Sequence, residues 1–331
     1  MAKIVFNSLQ QIETQPGESI LDAAARAKLA LPYGCRTGRC SACKCKQLSG
    51  ESLALTDESG LTETEKQEGW ILSCARTAID DLALQVDADL SVYLPPVVML
   101  PCRISEINEL AADVLSVVLR LPPTAKFSFL PGQYVDVIGP EALRRSYSLA
   151  NADSGNKLLE LHIRKVPDGR LSQYWFGSAK ENDLLRINGP FGTFILQDIA
   201  NRDLVFLATG TGIAPVKGML EGLRLGNELG LPRSISVFWG GRTEADLYWH
   251  HGDAACRFIP VLSRGDSAWG GARGHVQEAF LSTKPDLGNS VVYACGSDGM
   301  IHGARSALLA AGLPETRFHS DAFVCSAKVN N

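Results

Sequence analysis

Four cysteines fall within eleven residues of this chain, in the stretch "CRTGRCSACKC". Three of them, Cys35, Cys40 and Cys43, follow the pattern C-x4-C-x2-C, and Cys74 comes later in "ILSCART". Three thiolates at this spacing, completed by a fourth from further along the chain, hold a [2Fe–2S] cluster. The cysteines therefore predict a four-thiolate iron–sulfur site.

A zinc site and scattered buried thiols both fit this spacing less well. A zinc site pairs its cysteines as C-x2–4-C in two knuckles, and the second pair is missing here. Cys45 follows Cys43 in what looks like the start of a strand, and with four ligands available we interpret it as a small packed residue. Gly34 and Gly38 permit loop conformations that a Cβ resists, so backbone N–H groups can turn toward the sulfurs.

The pattern R-x-Y-S in "RRSYSLAN" offers what a flavin needs: an aromatic ring, a hydroxyl donor and a cation for the pyrophosphate. Alone it would also fit a strand with a surface arginine. "LHIRKV" follows, then "GRLS", which begins a predicted helix whose N–H groups can face phosphate, and "GPFG" completes the series. The candidate flavin contacts are Arg145, Tyr147, Ser148, His162, Ile163, Arg164, Gly169, Leu171 and Ser172.

Glycines between a predicted strand and a predicted helix, in "LATGTGIAPVKGML", indicate a nucleotide site. A pyrophosphate would meet backbone N–H groups there. Pro215 departs from the pattern G-x-G-x-x-G, so the usual dinucleotide fingerprint does not apply. "YACGS" ends another predicted strand and could bring Cys295 beside a nicotinamide, although a buried strand cysteine is the alternative. The candidate nucleotide contacts are Gly210, Thr211, Gly212, Pro215, Arg242, Cys295 and Gly296.

The choice between the two nicotinamide nucleotides is ambiguous in the sequence. Arg264 follows a predicted strand, where it could hold a 2′-phosphate, but Asp266 beside it would disfavour that phosphate. Arg242 is equally ambiguous. We expect NADH, with NADPH as the alternative.

The motifs belong to sections of chain with different patterns. In the first, about 1–90, a strand-like start precedes a helix beginning near Ser19. A Thr62–Glu65 capping box then starts a short helix, and Leu82–Val86 forms a closing strand. Residues 91–101 contain several prolines and are predicted to be an extended linker.

The remaining two sections have different hydrophobic patterns. Residues 102–197 contain strand-like runs separated by Gly, Pro and Asp, which is typical of an all-β barrel or sandwich. Residues 198–331 alternate apolar strand-like runs with helical spacing, which predicts a doubly wound parallel sheet.

Composition narrows the class of protein. The 331 residues carry a net charge of −4, and no basic cluster suggests a nucleic-acid partner. No apolar run resembles a signal peptide or a membrane span, so we expect a cytoplasmic protein without a membrane partner. No pattern for mononuclear iron, no G-x-S-x-G and no Walker motif is present, which suggests that another protein performs the substrate chemistry.

Taken in order, these motifs resemble the ferredoxin–NADP reductase superfamily, with a plant-type ferredoxin at the N-terminus. The resemblance implies a multidomain α+β and α/β protein: a β-grasp ferredoxin domain, a six-stranded antiparallel β-barrel for flavin and a parallel-sheet nucleotide domain. It also implies FAD as the flavin, because the ferredoxin domain comes first. In such proteins Ser148 would donate toward flavin N5 and Cys295 would flank the nicotinamide. Phe323 would cover the flavin, with Asp321 close by.

The resemblance implies an electron-transfer reductase. It would take a hydride from NAD(P)H onto FAD and pass single electrons through the [2Fe–2S] cluster to a partner protein. That partner would be a Rieske-type oxygenase or a deoxyhexulose dehydrase. The alternatives are a redox sensor without turnover and a self-sufficient oxidase without a partner.

The acidic excess lies on the first section. Residues 1–90 carry 13 acidic and 9 basic side chains, a balance of −4 that equals that of the whole chain. We hypothesise that this section steers the chain to a basic surface of its partner.

Overall fold

The structure, a computed structural model, describes residues 2–226, 229–250, 252 and 254–323, and these divide into two compact units. The first contains residues up to 94 together with 192–194 and 321–323. The second contains the described residues of 95–191 and 195–320. Across the described residues, no helix has the length and apolar character needed to cross a membrane.

The first unit is a β-grasp domain in which a five-stranded sheet packs against a helix. The sheet has the order β2-β1-β7-β3-β5, so the last strand along the chain lies in its middle, parallel to the first. β4 and β6 form a separate two-stranded sheet. The elements are β1 Lys3–Phe6, β2 Gln10–Glu13, α1 Ile20–Arg26, β3 Lys44–Ser49, β4 Ser52–Ala54, α2 Glu63–Gln67, β5 Trp70–Leu72, β6 Arg76–Ala78 and β7 Leu82–Gln85.

Both predicted helix starts of this unit are confirmed. The Ser19 hydroxyl accepts a hydrogen bond from the backbone N–H of Asp22 and caps α1. Thr62 and Glu65 form a complete capping box at α2. Each cap satisfies backbone N–H groups that the first helical turn leaves without a partner.

The second unit begins with a six-stranded antiparallel barrel of order β11-β10-β13-β8-β9-β12. A single bridge between Leu149 and Leu161 closes it between β11 and β12. The short helix α3 continues into a π-helical turn, Tyr174–Ser178. The elements are β8 Val98–Ala111, β9 Val114–Arg120, β10 Tyr134–Ile138, β11 Arg144–Ser148, β12 Leu158–Arg164, α3 Arg170–Gln173 and β13 Leu184–Phe191.

The extended linker predicted over 91–101 overlaps this barrel. β8 begins at Val98, so the last four residues of the predicted linker belong to a strand. Pro101 is tolerated because this part of β8 pairs only with β13, and pairing with β9 starts at Arg103. A proline, which lacks an N–H, fits a strand where one side has no neighbour.

The nucleotide section of the second unit is a parallel sheet of order β17-β16-β15-β14-β18-β19. The order reverses at β14, and α4 begins directly after that strand; ligands of such sheets bind at this switch point. α4 starts three residues before the predicted helical run, because Pro215 fits its first turn. The elements are β14 Asp203–Thr209, α4 Ile213–Leu225, β15 Ser234–Gly241, β16 Cys256–Leu262, β17 Ala272–Arg273, α5 Val276–Ser282, β18 Ser290–Ser297, α6 Asp298–Ala310 and β19 Phe318–Phe323.

Candidate functional site

The cysteine loop, residues 34–43, joins the chain after α1 to the start of β3. Arg36, Gly38 and Ser41 have positive φ angles of 57°, 75° and 59°. Gly38 cannot be replaced without moving backbone, because a Cβ there would lie 2.1 Å from the carbonyl oxygen of Asp57. These left-handed residues curl the loop tightly, so that its cysteines face inward.

The four predicted ligands come together as two pairs. The Sγ atoms of Cys43 and Cys74 are 3.2 Å apart, and the backbone N–H of Cys35 donates to Cys40 Sγ at 3.2 Å. Cys40, Cys43 and Cys74 are buried, whereas Cys35 is partly exposed. Within the described part of the chain, no three metal-ligating side chains converge on one point. Two thiol pairs suit a cluster of two irons.

The two thiol pairs each hold one cysteine toward the thiolate, because the bonds to Cys35 and Cys74, together with burial, raise the pKa values of Cys40 and Cys43. A hydrogen bond from Cys40, aided by the N–H groups of Thr37 and Arg39, lowers the pKa of Cys35 to about 4. A hydrogen bond from Cys43 and the N–H of Gly38 hold the pKa of Cys74 below its usual value. The donor set of four thiols with N–H groups directed at sulfur therefore fits an iron–sulfur cluster.

Cys45 differs from its neighbours. It lies on β3, is 2% exposed and belongs to the apolar core of the unit. Burial raises the pKa of its thiol to about 12. The thiol therefore stays neutral inside the core, as expected for a packed residue.

The predicted flavin residues on β11 present an available cation and a free hydroxyl. Arg145 is exposed, and its guanidinium donates to the carbonyl oxygen of Arg144 at 2.7 Å. Trp175 Nε1–H donates to the Tyr147 hydroxyl at 3.0 Å, and burial raises the pKa of Tyr147 to about 12. Ser148 is 8% exposed, and among the described residues its hydroxyl has no hydrogen-bond partner. This unpartnered hydroxyl, on the same strand as an aromatic ring and a cation, fits a flavin.

The predicted helix of "GRLS" is present as α3, with Gly169 at its N-cap. Leu171 is buried against Gly139, where a Cβ would lie 2.6 Å from its Cδ1. The Ser172 hydroxyl accepts a hydrogen bond from the N–H of Val166 at 2.8 Å. These contacts fix the loop before α3 and leave the first N–H groups of the helix without a side-chain cap.

His162 and Arg164 lie in a network that the sequence did not predict. Alternate residues of β12 share a face, and on this face Glu160, His162 and Arg164 contact residues of the nucleotide section. We call these residues and their partners the β12 ladder. Its contacts are Glu160 Oε2 to Lys217 Nζ at 2.6 Å, Glu160 Oε1 to His162 Nε2 at 3.1 Å, His162 Nδ1 to Tyr248 Oη at 3.3 Å, and Arg164 to Asp113 at 2.8 Å and Asp246 at 2.9 Å. Ile163 points the other way and is 1% exposed in the barrel core.

The ladder neutralises its own charges. Burial alone would raise the pKa of Glu160, but His162 and Lys217 hold it below the usual value. Two carboxylates likewise hold Arg164 in its charged form, despite its partial burial. The polar alternation in "ELHIR" is the sequence signal that could have revealed this face, whereas its partners come from distant segments.

The nucleotide candidates meet at the carboxyl ends of β14 and β18. A Cβ on Gly210 would lie 2.6 Å from the Arg164 guanidinium, and one on Gly212 would lie 2.2 Å from the carbonyl oxygen of Cys295. Thr211 lies between them in the same 3₁₀ turn. The turn leads into α4 with no side-chain cap at its N-terminus. No side chain therefore caps the N–H groups of this turn, which lies where the strand order reverses and where such sheets bind ligands.

The remaining nucleotide candidates differ in exposure. Cys295 is fully buried on β18, and Gly296 packs against Thr209, whose Oγ1 would lie 2.1 Å from an added Cβ. Arg242 is exposed and lies 3.7 Å from Asp246. Pro215 is buried in the first turn of α4.

The C-terminal candidates lie on β19. Asp321 is 8% exposed, and burial, reinforced by Cys35, raises its pKa to about 7. A Cβ on Gly34 would lie 3.2 Å from Asp321 Oδ1, so this carboxyl lies beside the cysteine loop, a neighbourhood that the sequence did not predict. Phe323 is 36% exposed.

Family models match three successive parts of the chain. Residues 5–78 match a 2Fe-2S iron-sulfur cluster binding domain, residues 101–195 an oxidoreductase FAD-binding domain, and residues 206–306 an oxidoreductase NAD-binding domain. The chain therefore binds a [2Fe–2S] cluster, FAD and a nicotinamide nucleotide.

Relatives match along nearly the whole length. The CDP-6-deoxy-L-threo-D-glycero-4-hexulose-3-dehydrase reductase of Yersinia pestis is 41% identical over 327 residues, 95% of this chain and 96% of that protein. Reductase component 1 of the terephthalate 1,2-dioxygenase of a Comamonas species is 31% identical over 319 residues, 94% of each. The crystal structure of an Amycolatopsis cytochrome P450 reductase covers 98% of this chain and 99% of its own, with 28% identity and a TM-score of 0.75.

The fold and these matches define an electron-transfer oxidoreductase. The chain belongs to the ferredoxin–NADP reductase superfamily, among the iron–sulfur flavoprotein reductases with an N-terminal ferredoxin domain. When bound, FAD accepts a hydride from NAD(P)H and releases single electrons, which the cluster relays to a partner protein. The sensor and self-sufficient oxidase alternatives are not favoured.

Proposed function

We propose that this chain is the reductase of a CDP-6-deoxyhexulose dehydrase and supplies it with single electrons from NAD(P)H. The observation that carries the proposal is the 41% identity to the Yersinia dehydrase reductase over 95% of this chain. The match to the oxygenase reductase component from Comamonas is lower, at 31%.

We propose the following division of labour among the site residues. Cys35, Cys40, Cys43 and Cys74 hold the cluster, supported by their pairing and by the N–H groups directed at sulfur. Ser148 donates its free hydroxyl to the flavin, and Phe323, with Asp321 beside it, covers the flavin ring. The remaining flavin contacts are proposed at Arg145, Tyr147, His162, Ile163, Arg164, Gly169, Leu171 and Ser172. The nicotinamide nucleotide contacts are proposed at Gly210, Thr211, Gly212, Pro215, Arg242, Cys295 and Gly296.

Within this proposal, the protein positions groups and excludes water. The tight loop around the thiols keeps water from most of the sulfur surface, because three of the four thiols are buried. The ladder fixes the barrel face against the nucleotide section, because Glu160 pairs with Lys217 and Arg164 pairs with Asp246 of that section. We place the domain limits at 1–90, 102–197 and 198–331, with the linker between the first two.

A cytoplasmic location forms part of the proposal. None of the eight described cysteines is in a disulfide, and the cluster ligands must stay reduced until iron is inserted. Thiols of this kind persist in a reducing compartment.

Reconstitution tests the proposed acceptor. The holoprotein is mixed with NADH or NADPH, the Yersinia dehydrase and its nucleotide-sugar substrate, and product is followed by chromatography. Product formation that requires this chain supports the proposal. Absence of product, with ferricyanide reduction intact, rejects the dehydrase as acceptor.

An oxygenase is the second candidate acceptor. It is favoured by the 33% identity to the electron transfer component of the xylene/toluene monooxygenase of Pseudomonas putida, over 95% of this chain. The same assay with a terephthalate dioxygenase oxygenase component decides between the two, because only the true class of acceptor couples NAD(P)H oxidation to product.

A further inference from the structure

The two-stranded sheet of β4 and β6 has an exposed apolar face. Leu53 pairs with Thr77, the Leu55 N–H donates to the Ala75 carbonyl, and the Ile79 N–H donates to the Glu51 carbonyl. Cross-strand partners and residues two apart project to the same face of a sheet. Leu53, Leu55 and Ile79 therefore share one surface, which we call the β4–β6 face. Their side chains are 56%, 44% and 57% exposed.

This face begins at the backbone that encloses the cysteine loop. The Leu55 N–H bonds to Ala75, the residue after Cys74, at 2.7 Å. Two residues past Leu55, the Asp57 carbonyl packs against Gly38 so closely that a Cβ there would be 2.1 Å away. Electron transfer between proteins weakens steeply with distance, so an acceptor has to dock near these thiols.

Two acidic side chains lie beside the face. Glu51 and Asp57 are exposed, and within the described part of the chain neither carboxylate has an ion-pair partner. Three cations of the adjoining elements are paired with other carboxylates. Their ion pairs are Lys44–Glu65 at 2.9 Å, Lys66–Glu63 at 2.8 Å and Arg76–Glu58 at 2.8 Å. The face therefore presents an apolar centre beside unneutralised negative charge.

We propose that the β4–β6 face is the docking surface for the electron-accepting protein, which presents an apolar patch bordered by lysine and arginine. This inference rests on the proposed function. Exposed leucines on a small, edge-rich sheet invite aggregation unless they have a partner, so their presence indicates binding. Apolar contact supplies the affinity, and the carboxylates steer the encounter. Redox complexes of this kind use small, transient interfaces.

The double variant Leu53→Ser/Leu55→Ser of the holoprotein tests the apolar part. Leu9→Ser is the matched control, because Leu9 lies in the same unit and is 83% exposed. We expect the Kd for the acceptor, measured by calorimetry, to rise about tenfold or more in the double variant. Ferricyanide reduction and the visible absorbance of the cluster should match those of the control. An unchanged Kd overturns the proposal.

The double variant Glu51→Gln/Asp57→Asn tests the charged part, with Glu13→Gln as its control. The slope of log kcat/KM for acceptor reduction against ionic strength should become shallower only in the double variant. Equal slopes in variant, control and wild type contradict the proposed steering.

The outcomes separate this inference from the proposed function. If the wild type drives the dehydrase and the leucine variant does so equally well, the surface is wrong and the function stands. If the wild type drives only an oxygenase component, the proposed acceptor is wrong; weaker coupling of that oxygenase to the leucine variant then supports the surface, and equal coupling overturns it. Reduction of neither protein rejects both. A change from dimer to monomer in the leucine variant, seen by ultracentrifugation, would assign the face to a second copy of the chain and overturn the proposal.

Discussion

The cysteine loop and the β12 ladder satisfy their polar groups in opposite ways. The loop is short and is shaped by Gly38 and two other left-handed residues. Its thiols bond to one another, to backbone N–H groups and to the Thr37 hydroxyl. The ladder is assembled from distant segments, and Glu160 and Arg164 each pair with an opposite charge. The loop therefore needs a cofactor to complete its bonding, whereas the charges of Glu160 and Arg164 already have partners. Loss of a loop thiol should cost function, and loss of the Glu160–Lys217 pair should cost stability.

Removing one thiolate should have the largest effect. Cys74→Ala leaves Cys43 without its partner at 3.2 Å, so the visible iron–sulfur absorbance should disappear and acceptor reduction should fall by more than about a hundredfold. NADH-to-ferricyanide activity through the flavin should remain. Cys45→Ala is the control and should keep the cluster. Equal loss of absorbance in both variants would show that Cys45 is not a mere packed residue.

The next largest effect is expected when one ion pair of the β12 ladder is removed. Lys217→Met removes the partner of Glu160, which is only 23% exposed, and should lower the free energy of unfolding by about 2 kcal/mol. Urea denaturation of the holoprotein measures it, with Lys180→Met as an exposed control. In the double variant Glu160→Gln/Lys217→Met, the two losses should not add. Full additivity would mean that the two groups do not interact.

Removal of the Ser148 hydroxyl should, like removal of a loop thiol, reduce function and leave stability unchanged. Ser148→Ala should slow reduction of the flavin by NADH about tenfold, the size expected for losing one hydrogen bond of about 1.4 kcal/mol. The FAD content and the urea midpoint should stay unchanged, because the hydroxyl has no partner among the described residues. Ser148→Thr should restore most of the rate in stopped-flow measurements. A wild-type rate in Ser148→Ala would contradict the proposed role.

The smallest expected effect is a pH dependence of the free energy of unfolding. The pKa of Glu160 lies below its ordinary value of 4.5 in the folded protein, so its carboxylate stabilises the fold above that pH. As pH falls through the folded pKa, this contribution is lost. The stability difference between wild type and Glu160→Gln, about 1 kcal/mol at pH 7, should therefore shrink below pH 4.5. A stability difference between the two proteins that stays constant from pH 7 to pH 4 would contradict this role of the Glu160 carboxylate.

The sequence predicted what is encoded locally. The thiol spacing, both helix caps and the strand-like runs of the barrel and the parallel sheet were all visible in short stretches. β8 was partly missed, because its prolines suggested a linker and only the pairing with β13 explains how Pro101 is accommodated. The ladder was missed because Lys217 and Tyr248 lie 57 and 86 residues from their partners. Asp321 beside Gly34 could not be foreseen for the same reason.

The barrel closes between β11 and β12 through a single bridge, Leu149 to Leu161, and we call this junction the seam. Three further bonds support it: the Ala150 N–H donates to the Glu160 carbonyl at 2.8 Å, the Glu160 N–H donates to Asn151 Oδ1 at 2.8 Å, and Asn151 Nδ2–H donates to the Leu158 carbonyl at 3.0 Å. Neighbouring strands elsewhere in the barrel share several residue pairs. The seam adjoins Ser148, so the proposed flavin site lies where the barrel strands share the fewest residue pairs. Amides on either side of it should exchange with deuterium sooner than those of β9 and β13. Local opening between β11 and β12 would let FAD enter and leave while the rest of the barrel stays folded.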